Sequence, residues 1–260
     1  MRYQTIKCDR TRFQAALTLP PVASGVTIGE TMAEEIADCC RELSLDDELR
    51  LVTITGVGDT FATGRERLPD DVLDADPAER MAWFKRMGAA NAVARLPMPV
   101  LAILNGDAIA HGLEIALAAD LRIAADGARL GAGAPTQDGL PFDGMTQRLP
   151  RLVGPALAHD MLLTGRTLLA SEALDFGLVN RVASLDDLEA HSAEIAGQII
   201  AAAPIAARYA KEAVTAAGDL SLAQGLRLEA DLSIILQSTD DRAEGLRSFA
   251  EKRTPNFTGR

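Results

Sequence analysis

The chain has 260 residues, enough for one large hydrophobic core or for one domain with a smaller appended piece. Hydrophobic residues make up 48% and charged residues 24%, a globular composition that excludes a disordered chain. With 26 basic and 37 acidic residues the formal net charge is -11, which argues against a general surface for nucleic acids or anionic membranes.

The first half of the chain alternates strand and helix signals. Short apolar runs predict strands at 12–19, 51–55, 100–104 and 121–124. Apolar positions at helical spacing predict helices at 28–43 and 77–95, and helical spacing resumes after Ala110. Strand, helix and strand at these intervals favour βαβ units with parallel strand pairing.

From Pro155 onward the pattern is almost wholly helical. Amphipathic stretches predict helices at 156–163, 171–176, 185–201, 204–217, 221–237 and 239–252. Ser171, with Glu172 just inside the helix, and Ser221 are suited to cap two of these helices. Such a run of helices suggests a helical lobe whose outer faces suit contacts between subunits.

The cysteines, the histidines and the lengths of the apolar runs limit where the protein can reside and whether it holds a metal ion. No uncharged apolar run approaches the ~20 residues that span a bilayer, and no secretory signal is recognised, so we expect a cytoplasmic protein. The three cysteines and three histidines lack metal-ligand spacing, so we expect no metal site. Cys39 and Cys40 lie in a helical pattern and are expected in the core.

Two glycine-containing junctions, 59–66 and 105–114, follow predicted strands. Each presents backbone N–H groups at a strand end or a helix start, and two such donors converging on one point form an oxyanion hole. Plain turns between strands and helices have the same spacing. The pattern alone therefore leaves both interpretations open.

Glu114 stands in an otherwise apolar helical run, three residues after His111. It is either a paired or functional carboxylate, or a surface residue on a buried helix. Partial desolvation would raise its pKa toward neutrality, which suits proton transfer.

The stretch 131–154 is rich in glycine and proline and predicts a loop before a helix that begins near Met145. Asp143 suits the N-cap of that helix, and Asp138 is a second loop carboxylate. Either one is a candidate to face the same cavity as Glu114.

Taken together, these segments resemble the crotonase superfamily, the enoyl-CoA hydratase/isomerase family. The most specific matches are Phe61-Ala62-Thr63-Gly64, the run from Asn105-Gly106 through Glu114 to Asp120, and 146–151, within a resemblance over nearly the whole chain. It implies an α/β fold with a crotonase-like ββα spiral core over 1–200 and a C-terminal helical trimerisation region over 201–260. It also implies a homotrimer or homohexamer that binds acyl-CoA thioesters.

The resemblance carries roles over to particular residues. The backbone N–H groups of Arg65 and His111 correspond to the two donors that hold an enolate oxygen. Glu114 corresponds to the first of two hydratase glutamates, and Asp143 stands in a loop where some members keep a catalytic aspartate. The expected acyl-CoA-binding positions are Ala62, Gly64, Arg65, Glu66, Arg67, Phe249 and Lys252. Coenzyme A enters as part of the substrate thioester, so no separate cofactor is expected.

Four departures from the family pattern concern this site. Arg65 replaces a small residue and Glu66 an aspartate, His111 stands where glycine is usual, and Leu68 stands where a CoA-binding lysine is common. The second glutamate of hydratases is absent from the corresponding place, 134–137, which reads Ala-Pro-Thr-Gln. Hydration therefore needs another group to activate water, and Asp143 is a candidate substitute.

The sequence is consistent with three functions. The first is an enoyl-CoA hydratase/isomerase-like enzyme. The second is a hydrolase of carbon–carbon bonds in β-diketones, a retro-Claisen reaction with His111 and Asp143 as the working pair. Such relatives use a further histidine that this chain lacks. The third is a catalytically degenerate member that binds acyl-CoA. RNA binding, known for some relatives, fits poorly with the charge of -11.

Overall fold

A computed structural model describes residues 3–20, 27–66, 69–133 and 140–260, without the side chain of Arg65. Its strands are β1 (Lys7–Arg10), β2 (Gln14–Thr18), β3 (Thr27–Ile28), β4 (Leu51–Thr55), β5 (Thr60–Ala62), β6 (Gly64–Arg65), β7 (Val100–Leu104), β8 (Asp107–Ile109), β9 (Leu121–Ala125), β10 (Arg129–Gly131), β11 (Thr167–Leu169) and β12 (Arg181–Ala183).

The described residues also form a series of helices. They are α1 (Glu30–Ser44), α2 (Asp70–Asp74), α3 (Pro77–Arg86), α4 (Ala89–Ala94), α5 (His111–Ala118), α6 (Met145–Thr164), α7 (Ala170–Asp175), α8 (Leu188–Ala201), α9 (Pro204–Ala216), α10 (Leu222–Gln237) and α11 (Asp240–Glu251). Helix α6 is kinked at Gly154, where φ is 78°.

The largest sheet in the described part of the chain has six strands in the order β1-β2-β4-β7-β9-β12. All neighbouring pairs are parallel except β1 and β2. Strands β4 and β7 are almost wholly buried apolar runs, as expected for parallel strands covered on both faces. The four predicted strands and their parallel pairing are confirmed.

A second sheet, β11-β10-β8-β5, is built partly from the two glycine-containing junctions. Strands β5 and β8 pair in parallel, with Ala62 opposite Ala108. The two junctions therefore contain short strands as well as turns. Because the strands run parallel, the residues that follow them, Arg65 and His111, emerge at the same end of the pair.

The prediction of one helix over 77–95 is wrong, because α3 and α4 are separated at Gly88. The backbone there is non-helical, with φ -78° and ψ 50°. The break exposes the first N–H groups of α4, and the Asp143 carboxylate accepts those of Ala90 and Asn91. Helix α4 is thus capped by a side chain from a distant loop.

The C-terminal helices predicted between 185 and 252 are confirmed as α8 to α11, with ends that differ by three residues or fewer. Ser221 caps α10 as predicted, since its hydroxyl accepts the N–H of Gln224 at 3.4 Å. The prediction for Ser171 is wrong: α7 begins one residue earlier, and the Glu172 carboxylate accepts the N–H of Leu169.

Cationic side chains attach the helical region to the core. Lys211 of α9 donates to the Met98 carbonyl at 3.0 Å and lies 2.8 Å from the Asp120 carboxylate. Arg50, next to β4, donates to the carbonyls of Ile200 and Phe257. The division into residues 1–200 and 201–260 stays a prediction. Cys39 and Cys40 of α1 are buried in the core, as expected.

Arg122 of β9 closes the far end of α5. Its side chain, in a residue only 4% exposed, donates to the carbonyls of Ala119 at 2.7 Å, Ala116 at 3.2 Å and Leu178 at 2.7 Å. Burial lowers the pKa of Arg122 to about 10, so it remains a cation at neutral pH. A cation at a helix C-terminus also complements the helix dipole.

Replacing Arg122 by alanine should lower the free energy of unfolding by about 3 kcal/mol, because buried carbonyls at the end of α5 lose their donors. The measurement is urea denaturation at fixed protein concentration. Arg129→Ala is the control, since Arg129 forms an exposed ion pair with Asp107 and its loss should lower the stability much less. Equal losses in the two variants would contradict this role for Arg122.

Candidate active site

The first turn of α5 lies directly against the first glycine-containing junction. A β-carbon built on Gly112 would stand 2.0 Å from the Ala62 carbonyl oxygen, so a larger residue cannot occupy this position without moving the backbone. No side chain caps this end of α5. The N–H of His111 is the first of the helix and has no intrahelical partner, so it is available to a ligand oxygen.

Ala110 holds the chain in a strained turn between β8 and α5. Its φ is 53° and its ψ is -120°, a conformation that residues other than glycine rarely adopt. Such a residue costs about 1–3 kcal/mol and persists where its surroundings fix it. Here the Ala110 N–H donates to the Gly131 carbonyl at 3.0 Å, and its carbonyl accepts the N–H of Glu114 at 3.1 Å. The strain therefore lies at the residue that orients the His111 N–H.

Arg65 lies in β6, which pairs in parallel with β3. The next residue, Glu66, donates its N–H to the Ile28 carbonyl at 2.9 Å. Successive N–H groups of a strand point to opposite edges, so the N–H of Arg65 points away from β3. Helix α5 packs against β6, which brings the segments of both predicted donors together.

Glu114 is 1% exposed, so its interpretation as a surface residue is wrong. Its Oε1 accepts the backbone N–H of Asp143 at 2.8 Å and that of Met145 at 3.3 Å. Burial raises the pKa of Glu114, and this effect outweighs the lowering by the two N–H groups. A buried carboxyl group with a raised pKa suits proton transfer.

His111 and Asp143 form a direct pair, and both side chains are fully buried. The His111 Nε2 lies 3.1 Å from Asp143 Oδ2. The same oxygen accepts the N–H of Ala90 at 2.6 Å, while Oδ1 accepts that of Asn91 at 3.0 Å. The prediction that Asp143 caps its own helix is therefore wrong. Gly144, with φ 111°, precedes α6, and the Asp143 side chain turns toward α4 instead.

Arg148 of α6 stabilises the contact between Asp143 and α4. Its guanidinium donates to the Asp143 carbonyl at 2.7 Å and to Oδ1 of Asn91 at 2.8 Å. It thus connects the start of α6 to the start of α4, the two elements between which the Asp143 carboxylate lies. Arg148 belongs to the matched segment 146–151, although its role was not predicted.

An aromatic cluster lies beside the His111 ring. The Phe142 ring centroid lies 5.8 Å from that of His111, 4.8 Å from that of Phe84 and 6.1 Å from that of Trp83. Two buried nitrogens of this cluster, His111 Nδ1 and Trp83 Nε1, have no hydrogen-bond partner among the described residues. Sequence reasoning missed the three aromatic residues, because a helix and a loop remote in sequence bring them together.

The other predicted site residues are dispersed. Ala62 is buried beside Gly112, and Glu66 accepts the N–H of Glu30 at the start of α1. Phe249 is 85% exposed on α11, and Lys252 is the exposed residue that ends this helix, so both lie outside the buried cluster. Arg67, Leu68, Asp138 and 134–137 lie outside the described residues.

Two kinds of feature are absent from residues 3–20, 27–66, 69–133 and 140–260. None of the helices there combines the length and the apolar character that crossing a membrane requires. Within these ranges, no three side chains of histidine, cysteine, aspartate or glutamate are grouped so as to hold a metal ion.

Comparisons with known proteins agree with this architecture. The sequence model of the family described as "Enoyl-CoA hydratase/isomerase" matches residues 23–260. The chain is 36% identical to the "Probable enoyl-CoA hydratase echA8" of Mycobacterium leprae, over 100% of both chains. It is 32% identical to the "Crotonyl-CoA hydratase" of Syntrophomonas wolfei, over 99% of both.

A solved structure shows the same fold. The enoyl-CoA hydratase from Bacillus anthracis superimposes with a TM-score of 0.91 and 34% identity, over 99% of this chain and 100% of that one. The predicted α/β class and crotonase-like core are thereby confirmed. The roles of individual site residues stay predictions.

Replacing Glu114 by glutamine should stabilise the protein at neutral pH. The pKa of Glu114 is raised in the folded protein, so folding favours the protonated carboxyl group. The stabilisation that this group provides is therefore complete below the pKa of a glutamate in the unfolded chain, ~4.3. It is lost as the pH rises through the pKa that Glu114 has in the folded protein. Glutamine stays neutral throughout and can still accept both N–H groups.

The variant should therefore match the wild type near pH 4 and exceed it by roughly 0.5–2 kcal/mol near pH 8, the usual size of such gains. Urea denaturation across this range measures the difference. A gap that does not grow with pH would show that ionisation of Glu114 is not its source.

Proposed function

Because this chain belongs to the enoyl-CoA hydratase/isomerase family, we propose that it processes acyl-CoA thioesters through an enolate, as a hydratase or isomerase does. The observation that carries the proposal is the parallel pairing of β5 with β8. This pairing brings the segments of Arg65 and His111 to one place, beside a buried Glu114 of raised pKa.

In this proposal the thioester carbonyl oxygen accepts the backbone N–H groups of Arg65 and His111. As a proton leaves or joins the α-carbon, negative charge develops on that oxygen and the two donors stabilise it. One such donor typically contributes about 2.7–4 kcal/mol to the transition state. Only backbone atoms are required, so the side chains of Arg65 and His111 are compatible with this role.

Glu114 is the proposed proton carrier at the α-carbon. Burial favours its protonated form, so it can deliver a proton to an enolate, and the neighbouring N–H groups of Asp143 and Met145 stabilise the carboxylate that remains. The same group can remove a proton in the reverse direction. This exchange is common to hydration and to double-bond isomerisation.

The coenzyme A portion would lie along Ala62, Gly64, Arg65, Glu66 and Arg67. Phe249 and Lys252 would reach the coenzyme A of a neighbouring subunit, which is consistent with their exposure at the end of α11. This arrangement presupposes a homotrimer or homohexamer. Coenzyme A enters with the substrate, and the proposed site needs no other cofactor. The proposed location is the cytoplasm.

The Glu114→Gln variant should lose turnover of crotonyl-CoA or of a 3-enoyl-CoA by about 10²–10⁴-fold while still binding acyl-CoA. Steady-state kinetics and calorimetric titration measure the two quantities. Glu194→Gln, an exposed change on α8, is the matched control and should behave as wild type. Full activity of Glu114→Gln would refute the proposed proton transfer.

The contact of His111 with Asp143 favours a second candidate function, hydrolytic cleavage of a β-diketone. The imidazole would hold or activate the oxygen that attacks a ketone carbonyl, and the bond between that carbonyl and the central carbon would break. The electrons of that bond form an enolate, which Glu114 would protonate. The further histidine of known hydrolases is absent, so the first candidate is preferred.

A cyclic β-diketone tests the second candidate. The wild type should open the ring to an oxo-carboxylate, and His111→Ala should reduce this rate at least about 100-fold. Mass spectrometry of the product provides the measurement. Absence of cleavage by the wild type, or unchanged cleavage by the variant, eliminates this function.

A further inference from the structure

One polar atom that the proposed enolate chemistry leaves unused is the Nδ1 of His111. Both His111 Nδ1 and Trp83 Nε1 are buried, and neither has a hydrogen-bond partner in the part of the chain that the structure describes. An unpaired buried polar group costs about 1–3 kcal/mol, so it requires an explanation. Both rings neighbour the ring of Phe142, which places the two nitrogens in one aromatic cluster.

The hydrogen bonds around Asp143 indicate which nitrogen of a neutral His111 ring carries the proton. The two oxygens of Asp143 accept backbone N–H groups from Ala90 and Asn91, as an ionised carboxylate does. An ionised carboxylate can only accept, so His111 Nε2 must be the donor across the 3.1 Å contact. In a neutral imidazole the other nitrogen, Nδ1, then carries a lone pair. The unpaired atom is therefore a base.

We infer that His111 is a further catalytic residue, whose Nδ1 activates the water that adds to an enoyl-CoA, with Asp143 as its positioning residue. This inference rests on the proposed function and assigns the task of the missing second glutamate. The chain offers no glutamate at 134–137, and the Asp143 oxygens are already engaged by three N–H donors.

The proposed step balances as follows. A water proton passes to His111 Nδ1 while the water oxygen forms a bond to the β-carbon of the substrate. The π electrons of the carbon–carbon double bond move to the thioester oxygen, and the protonated Glu114 gives its proton to the α-carbon. Transfer of the new imidazolium proton to the Glu114 carboxylate restores the starting state. The net reaction is addition of one water.

The test compares two reactions of one His111→Gln variant. Glutamine keeps the backbone N–H and an amide donor for Asp143 but has no basic nitrogen. Hydration of crotonyl-CoA needs the water base, whereas exchange of the α-protons of butyryl-CoA with deuterated water needs only Glu114 and the backbone donors. Hydration should fall about 10²–10⁴-fold, and at least 100-fold more than exchange. His191→Gln, an exposed change of the same type on α8, is the control.

The outcomes separate this inference from the proposed function. Absence of both reactions in the wild type would refute the proposed function. Two outcomes would overturn the role of His111 and leave the proposed function standing. One is exchange without hydration in the wild type, and the other is an equal fall of both rates in His111→Gln.

A measurement on the wild type remains decisive if His111→Gln does not fold. The chain has only three histidines, so selective ¹⁵N labelling gives an assignable spectrum. The expected nitrogen shifts are those of a neutral ring protonated at Nε2 and bare at Nδ1. A neutral ring protonated at Nδ1 would overturn the inference.

Discussion

The position of the Asp143 carboxylate determines the geometry of the whole site. It accepts two N–H groups at the start of α4 and the ring N–H of His111, while its backbone N–H donates to Glu114. Three segments that are distant in sequence therefore meet at one residue. A buried carboxylate is costly unless its oxygens are paired, so these partners fix one another in place.

The two buried acids of the site lie in different environments. Three N–H donors and the N-terminal end of α4 face Asp143. Together they compensate a negative charge on its carboxylate. Glu114 sits inside an apolar helix, and burial raises its pKa. Different environments assign neighbouring carboxyl groups to different tasks, one to hold a charge and the other to exchange a proton.

The long elements of the fold were predictable, and the sequence was enough to single out polar candidates such as Glu114. Five-residue apolar strands such as β4 and β7 have a clear pattern, and Glu114 stands out because its neighbours are apolar. The strands β5 and β8 have only three residues each, and their pairing depends on contacts distant in sequence. The contact between His111 and Asp143 spans 32 residues and depends on the path of a loop, which residue spacing does not encode.

The departures from a standard hydratase are physically connected. A histidine in place of the usual glycine buries an imidazole, whose N–H needs an acceptor, and Asp143 provides one. The aspartate in turn needs donors, and the helix break at Gly88 frees the N–H groups of Ala90 and Asn91. Each partner lost would leave a buried polar atom unpaired, at about 1–3 kcal/mol. The histidine, the aspartate and the broken helix therefore form one unit, and a glycine at position 111 would leave the aspartate without its ring partner.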